Sequence, residues 1–327
     1  MISTNGGAAT KPTAAPSARR MALSSVKVGG TARPPRVLLY AYDKVGKTTW
    51  AAGAPSPVFL GPEDGGAPEA KRFPLPNTWG EVLEAVEELT AAKHDYKTLV
   101  LDTADWIEPL VWEHVCRTHK VKALEDVGGG YGKGYDAARD EWRYLLSKLE
   151  GLRERGMTVV ILAHAEVKNF KNPTGPDFEK YQLKMNAKTA AILREWADAV
   201  LFARLETYEV TDKQKRTRGV SDGVRTVYTQ PSAAYDAGNR LSLPPTLALD
   251  WSDFEAARLA RQTATPATLK DEIAEFRAYA PEGSVDVGAL DKALVAAGED
   301  AEKLARIRDR LRAKVGSKDR VIPAERS

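Results

Sequence analysis

From residue 36 onward, short apolar runs rich in β-branched residues alternate with longer segments that have a helical pattern. The runs have the length of strands and cover residues 37–40, 58–60, 99–101, 158–162 and 199–203. Strands that are apolar throughout are typical of a sheet covered on both faces, and the helical segments between them fit crossover connections. The pattern predicts an α/β fold with a mainly parallel sheet.

Two of the helical segments have recognisable boundaries. Thr78 and Glu81 have the spacing of a capping box, and an apolar face follows between residues 82 and 89. Apolar residues also recur every three or four positions between Tyr135 and Leu152, and Gly156 follows just before the next apolar run. Both segments are therefore predicted to be crossover helices.

The pattern changes beyond residue 208. Residues 225–229 and 241–249 have strand patterns and the polar stretch 213–218 has the composition of a hairpin tip, which predicts an antiparallel extension of the sheet. Helical patterns follow near residues 254–261, 269–279, 287–297 and 301–315. We therefore predict a core over residues 36–253 and a small C-terminal helical appendage over residues 254–327.

Residues 1–35 form a separate region by composition. They consist largely of Gly, Ala, Ser, Thr and Pro, with several arginines and lysines and no acid. Such a segment buries too little apolar surface to fold, and its Pro and Gly content argues against the amphipathic helix of a transit peptide. We predict a disordered basic arm.

The composition of the whole chain is close to that of average globular proteins. Hydrophobic residues make up 43% and charged residues 28% of 327 positions, and no apolar run approaches the roughly 18 residues that span a bilayer. The single cysteine, Cys116, excludes an intramolecular disulfide and a cysteine-rich zinc module, and it favours a reducing compartment. We expect a cytoplasmic protein without membrane contact. Because the net charge is only +3, any nucleic-acid site is a local patch.

The most informative segment follows the first predicted strand. Gly46, Lys47 and Thr48 match the end of the P-loop pattern G-x-x-x-x-G-K-[ST], in which backbone N–H groups and the lysine bind phosphates and the hydroxyl binds Mg²⁺. Ala41 occupies the first glycine position, where a Cβ crowds the turn but removes no N–H donor. The segment predicted to bind the nucleotide is Ala41, Tyr42, Asp43, Lys44, Val45, Gly46, Lys47, Thr48 and Thr49.

Three further side chains follow predicted strand ends, where ligands gather in α/β sheets. Asp102 is positioned to hold Mg²⁺, with a helix N-cap as its alternative role. Glu63 is positioned to orient or deprotonate the attacking water, with a solvated turn acid as the alternative. His164 is positioned to contact a γ-phosphate, with a structural histidine as the alternative.

In this order of strand ends, the chain resembles the RecA-like ATPase core. Residues 40–49, 62–66, 131–135, 163–164 and 239–244 are similar, more narrowly, to phage-encoded RecA-like ATP-binding proteins, a group that includes single-strand annealing recombinases. The resemblance covers about residues 36–254. It implies ATP and Mg²⁺ as cofactors, and a location in the cytoplasm of a bacterial host.

The resemblance also implies roles for individual residues. Lys47 and Thr48 would be the phosphate and Mg²⁺ ligands, and Asp102 the second residue on the metal side. Glu63 would be the water-activating acid and His164 the γ-phosphate sensor. RecA-like sites are completed by a basic residue from a neighbouring subunit, and Arg240 is the candidate, with a plain surface arginine as the alternative. The departure at Ala41 points to a slow ATPase that uses ATP as an assembly switch.

Two predicted loops, residues 127–135 and 167–176, stand where RecA-like proteins line their DNA channel. Aromatic side chains there offer stacking faces and lysines offer phosphate contacts, although each loop taken alone also fits an ordinary solvated connection. The candidate DNA-binding residues are Tyr131, Lys133, Tyr135, Lys168, Phe170 and Lys171, with Lys213, Lys215, Arg216 and Arg218 as a further basic cluster.

The leading prediction is an ATP- and Mg²⁺-dependent protein of phage DNA recombination that binds and anneals single-stranded DNA. It would work as a ring or filament of identical subunits, as a slow, DNA-stimulated ATPase, with a single-strand DNA-binding protein as a further candidate partner. One alternative is a partition-type or transport ATPase, whose deviant P-loop needs a lysine where Tyr42 stands. The other is a small-molecule kinase, which would need an arginine-rich lid.

Overall fold

The computed structural model describes residues 33–211, 217–221, 223–263, 265–280, 283 and 285–315. Apart from residues 33–35, the predicted basic arm lies outside this part of the chain. The strands are β1 (Arg36–Ala41), β2 (Pro57–Leu60), β3 (Thr98–Leu101), β4 (Thr158–Phe170), β5 (Phe178–Leu183), β6 (Ala199–Leu205), β7 (Tyr208–Thr211), β8 (Thr217–Val220), β9 (Arg225–Tyr228), β10 (Gly238–Asn239) and β11 (Thr246–Ala248).

Nine of these strands form one sheet with the order β11-β9-β6-β1-β4-β3-β2, in which β10 also pairs with β6 and β5 with β4. The strands from β6 to β2 in this order are parallel, and Leu38 at the centre of β1 lies opposite Ile161 of β4 and Val200 of β6. β9 and β11 add antiparallel strands beyond β6. The prediction of a RecA-like α/β core with a mainly parallel sheet and an antiparallel extension is confirmed.

Helices cover both faces of the sheet, which explains why its central strands are apolar throughout. Leu38 and Tyr40 of β1 pack in one hydrophobic cluster with α2 (Trp79–Ala91), α3 (Ala104–His119), α4 (Lys133–Glu154) and α5 (Ala187–Trp196). Val37 and Leu39 point to the opposite face and pack with α1 (Lys47–Ala52) and α6 (Trp251–Thr263). The two-residue period of the strand therefore divides its side chains between two cores.

The predicted polar loop over residues 167–176 is in large part a β-hairpin, and that prediction is corrected. β4 continues beyond His164 to Phe170 and pairs antiparallel with β5, so that Lys168 lies opposite Lys180. Only residues 171–177 connect the two strands. Beyond residue 165 the strand residues are mostly half-buried or exposed. A ribbon of this kind lacks the apolar pattern by which buried strands are predicted.

The predicted strand over residues 241–249 is also corrected, because only Thr246–Ala248 forms a strand there. The side chain of Asn239 accepts hydrogen bonds from the backbone N–H groups of Leu241 and Leu243. Pro244 and Pro245 follow and have no N–H to donate to a sheet. The chain therefore turns after β10 and rejoins the sheet only at β11.

The C-terminal part is helical, as predicted. The predicted boundary at residue 254 falls inside α6, whose Trp251 and Phe254 pack with Trp50 of α1. A hydrophobic cluster of their own is shared by α7 (Pro266–Tyr279), α8 (Val287–Ala297) and α9 (Ala301–Val315). β7 and β8 pair with each other, whereas Lys213, Lys215 and Arg216 of the predicted basic tip lie outside the described residues.

Candidate nucleotide-binding site

The phosphate loop connects β1 to α1, as the motif requires. Gly46 has φ +113°, a conformation that favours glycine, and it precedes the first residue of α1. Ala41, the departure from the motif, is the last residue of β1 and lies in regular register opposite His164 and Ala203. Because its backbone is that of a strand, its Cβ introduces no strain there.

Lys47 is buried beneath this loop. Its Nζ donates a hydrogen bond to the carbonyl oxygen of Tyr42 at 3.0 Å. Burial lowers the pKa of Lys47, and the charges of the surrounding acids oppose this shift. Those acids are Glu63, Asp105, Asp102 and Asp43. Lys47 therefore stands among several carboxylates, so further positive charge near the loop would strengthen the binding of a polyphosphate.

Thr48 and Asp102 meet where the metal is predicted to bind. We call this region, together with Lys47, the phosphate corner. The Thr48 hydroxyl donates to Oδ2 of Asp102 at 3.1 Å, whereas Oδ1 is buried and has no hydrogen-bond partner among the described residues. Burial, together with the nearby Glu63 carboxylate, raises the pKa of Asp102 to about 6. A buried carboxylate oxygen without a partner needs a cation or a donor. Mg²⁺ usually takes one or two carboxylates plus phosphate oxygens, so these residues fit it.

The loop that carries Glu63 packs directly over this corner. A Cβ built on Gly61 would lie 1.9 Å from the carbonyl oxygen of Asp102, so the close approach requires glycine. Glu63 accepts a hydrogen bond from the Thr103 hydroxyl at 3.1 Å. The guanidinium of Arg72 donates to the carbonyl oxygens of Glu63 and Gly65 at 3.1 and 3.0 Å. Both positioning residues, Thr103 and Arg72, were missed by the sequence patterns.

His164 lies beside the phosphate loop and is held by Asp105. Its backbone N–H donates to Oδ1 of Asp105 at 2.9 Å, and its Nδ1 lies 2.8 Å from Oδ2. Although burial alone would raise it, these hydrogen bonds hold the pKa of Asp105 below its ordinary value. Asp105 was also missed, and its position three residues after Asp102 was the only signal in the sequence.

A second buried acid continues the same face of α3. Glu108 is 3% exposed and accepts the backbone N–H of Asn186 with both carboxylate oxygens, at 3.0 and 3.2 Å. Burial raises the pKa of Glu108 to about 7. Asn186 caps α5, which follows the β4–β5 hairpin. Helix α3 thus connects the phosphate corner to the base of the hairpin through Asp105 and Glu108.

Arg240 lies far from this chain's own phosphate loop. Its backbone N–H donates to the carbonyl oxygen of Asp198, and its guanidinium is 66% exposed, 3.9 Å from the Asp198 carboxylate. Asp198 pairs with Arg36 at the start of β1, whereas the phosphate loop follows the end of that strand, roughly 16 Å away. Arg240 therefore does not contribute to the site of its own chain, and its predicted role toward a neighbouring subunit stays a prediction.

Most of the candidate DNA-binding side chains have partners within the chain. Lys168 pairs with Glu166 at 2.8 Å and Lys171 with Asp177 at 2.6 Å. The ring of Phe170 packs on Phe178, and the amine of Lys180 lies over it. In the other segment, Lys133 donates to the carbonyl oxygen of Gly128 and Tyr135 donates to Glu125. Tyr131 differs, because its side chain is 99% exposed.

A phosphate loop after a central parallel strand, with a buried acid at the end of a nearby strand, defines a P-loop ATPase domain. The chain belongs to the AAA domain family, which matches residues 33–241. It is also similar to the SPbeta prophage-derived uncharacterized protein YorG of Bacillus subtilis (strain 168), with 27% identity over 134 residues. This similarity spans 39% of the chain and 40% of the relative's length. In the described part of the chain, no helix is long and apolar enough to cross a bilayer.

Proposed function

We propose that this protein is an ATP- and Mg²⁺-dependent, single-stranded DNA-binding and annealing protein of phage recombination. The similarity to a prophage-derived protein supports the phage context. One observation carries the DNA proposal: β4 runs without a break from His164, beside the phosphate loop, into the exposed hairpin with Lys168 and Phe170. A change at the γ-phosphate therefore has a direct covalent route to a surface with stacking and basic side chains.

The proposed ATP chemistry uses the buried corner of the site. Lys47 would exchange its hydrogen bond with Tyr42 for the outer phosphates, and Thr48 and Asp102 would hold Mg²⁺. The ion, when bound, neutralises charge on the phosphate oxygens. Glu63, held by Thr103, would take a proton from the attacking water at its carboxylate. DNA stimulation of a slow basal turnover is part of the proposal.

The proposed DNA interaction depends on exchange of partners in the hairpin. Lys168 and Lys171 each pair with an exposed or half-exposed carboxylate, and such pairs contribute little stability. A DNA phosphate can therefore replace Glu166 and Asp177 at low energetic cost. Tyr131, which is almost fully exposed, is the free stacking face in the other predicted DNA segment. Assembly into a ring or filament would bring several such surfaces to one strand, and Arg240 to a neighbouring site.

The test is fluorescence anisotropy of a labelled single-stranded oligonucleotide at several salt concentrations, with ADP and with a non-hydrolysable ATP analogue. We expect the wild type to bind DNA more tightly with the analogue than with ADP. Lys168→Ala and Lys171→Ala should each weaken DNA binding and lower the slope of its salt dependence by about one phosphate contact. Phe170→Ala should reduce the binding free energy by about 1 to 3 kcal/mol. His164→Ala should leave basal binding but remove its dependence on nucleotide. Arg117→Ala, on the exposed side of α3, is the matched control.

Two further measurements separate this proposal from its alternatives. ATP hydrolysis should rise when single-stranded DNA is added, and complementary oligonucleotides should anneal faster in the presence of the protein. Identical anisotropy curves for the wild type and all hairpin variants, with hydrolysis indifferent to DNA, would contradict the recombination function and favour a transport ATPase or a kinase.

A further inference from the structure

A cleft adjoins the phosphate loop on the side away from Asp102 and Glu63. It has a volume of about 270 Å³ and is lined by Gly46 and Thr49 of the loop and helix, and by Arg225, Leu249 and Asp250 of the antiparallel extension. β9 and β11 stand on one side of β1 in the sheet, whereas β3 and β2, which lead to Asp102 and Glu63, stand on the other. The phosphate loop therefore lies between two chemically different regions.

Arg225 projects toward the loop within this cleft. A Cβ built on Gly46 would lie 3.6 Å from Nη1 of Arg225 and 3.5 Å from Cδ2 of Leu249. The backbone N–H of Leu249 donates to the carbonyl oxygen of Arg225 at 3.2 Å, which holds the two residues side by side. The Arg225 side chain is exposed and has no ion-pair partner among the described residues, whereas Arg204 on the neighbouring strand is paired with Glu206. Within the described part of the chain, Arg225 is thus an unpaired cation beside a loop built for phosphate.

The direction in which a bound nucleotide would lie across the loop follows from this arrangement. Lys47 and Thr48 bind the outer phosphates and the metal of a P-loop nucleotide, and Thr48 contacts Asp102 on the β3 side. The inner phosphate and the nucleoside must then leave the loop past Gly46 and Thr49, toward β9 and β11. We propose that Arg225 contacts the α-phosphate of the bound nucleoside triphosphate and that Leu249 packs against its nucleoside. The inference rests on the proposed function, because it requires nucleotide binding at this loop.

The Arg225 guanidinium would also offset part of the negative charge that surrounds Lys47. Lys47 is surrounded by the carboxylates of Glu63, Asp105, Asp102 and Asp43. Arg225 adds a further side-chain cation from the same chain, on the side of the loop away from Asp102 and Glu63, in a cleft that Asp250 also lines. This role differs from the one that the resemblance implies for Arg240, which would complete the site of a neighbouring subunit and lies at the opposite end of the parallel strands.

The experiment measures binding of Mg-ATP and of inorganic tripolyphosphate by titration calorimetry to the full-length chain. Arg225→Ala should weaken both ligands about 10- to 100-fold, because a hydrogen bond to a charged group is lost. Arg225→Lys should recover part of that loss. Leu249→Ala should weaken ATP and leave tripolyphosphate unchanged, because only ATP carries a nucleoside. Arg117→Ala, distant from the cleft, is the matched control, and thermal unfolding verifies that each variant is folded.

The outcomes separate this inference from the function on which it rests. If Arg225→Ala binds ATP as tightly as the wild type while Lys47→Ala does not bind it, the Arg225 contact is overturned and the nucleotide site stands. If Arg225→Ala weakens ATP but leaves tripolyphosphate unchanged, the α-phosphate contact is overturned. A wild-type protein that binds neither ligand would overturn the proposed function and this inference with it.

Discussion

The phosphate corner and the β4–β5 hairpin handle charge in opposite ways. At the corner, Asp102 and Lys47 are buried, and burial disfavours the charged form of both side chains. In the hairpin, the Lys171 amine is 88% exposed and pairs with a carboxylate that water also reaches. The electrostatic free energy of the corner without ligands is therefore unfavourable, and a bound nucleotide and metal would lower it. The exposed ion pairs of the hairpin contribute almost nothing to the free energy of folding. This difference predicts large effects of substitution at the corner and small ones at the hairpin.

The two regions also differ in how their residues are held. Glu63 is positioned by Thr103 and Arg72, and Gly61 allows its loop to approach Asp102. Such a site is organised before any ligand arrives, as catalysis requires. Beyond Ala165, the residues of β4 pair with β5 on one side and have no second neighbouring strand among the described residues. Its ion pairs can exchange partners without disturbing the core, as the proposed DNA binding would require.

The largest expected effect is at Lys47. Lys47→Ala should abolish measurable ATP binding, because it removes the side-chain cation that the P-loop directs to the outer phosphates. Titration calorimetry with Mg-ATP checks this result. Lys148→Ala, whose amine pairs with Glu87 on the helical surface, should bind normally. Equal affinity in the wild type and Lys47→Ala would refute the assignment of the phosphate loop.

The next effect is on turnover alone. Glu63→Gln should retain ATP binding and hydrolyse ATP about 10² to 10⁴ times more slowly, because an amide cannot accept a proton from water. Single-turnover hydrolysis with bound nucleotide measures this step directly. If hydrolysis continues at the parental rate in Glu63→Gln and is lost in Asp102→Asn, the general base has been assigned to the wrong acid.

The buried charge at the corner predicts a pH dependence of stability. The folded state raises the pKa of Asp102 to about 6, so the nucleotide-free protein binds this proton more tightly than the unfolded chain does. Its contribution to stability is therefore lost as the pH rises from about 4 to about 6. Asp102→Asn should raise the free energy of unfolding at pH 8 by on the order of 2 kcal/mol. The gain should be about one third as large at pH 4.5, where most of the unfolded chains, but few folded molecules, have released this proton.

Urea unfolding of the nucleotide-free protein across this pH range measures the effect. Asp177→Asn, at the exposed pair of the hairpin, is the matched control and should leave the unfolding midpoint unchanged at both pH values. A gain of equal size at pH 4.5 and pH 8 would show that the stabilisation does not come from the Asp102 charge.

The smallest expected effect tests whether the hairpin ion pairs restrain DNA binding. Glu166→Gln and Asp177→Asn leave Lys168 and Lys171 without their carboxylate partners, so single-stranded DNA should bind a few-fold more tightly at low salt. The gain should disappear near 0.5 M salt, because exposed charges are then screened. Anisotropy measures both conditions, with Glu113→Gln on α3 as the control. Weaker binding of the freed hairpin would argue that these lysines do not meet phosphate.

The buried parallel strands and the crossover helices at residues 79–91 and 133–154 were predictable, because apolar periodicity is a local property that burial imposes on each element. The phosphate loop was predictable for the same reason: Gly46, Lys47 and Thr48 are neighbours in sequence, and the preceding strand fixes their context. The hairpin and the turn after β10 were not, because exposed ribbons and side-chain-capped turns carry no strong apolar signal.

The composition of the site was decided by the order of strands in the sheet. Parallel pairing of β1 with β4 places His164 beside Ala41, and His164 in turn contacts Asp105 of α3. The antiparallel extension brings Arg225 close to Gly46. The same topology takes Arg240 to the opposite end of β6, although it lies only 15 positions after Arg225 in the chain. Residue type and spacing determined what chemistry this chain carries. Which charged groups meet depends on contacts between residues distant in sequence, and only the tertiary structure supplies those.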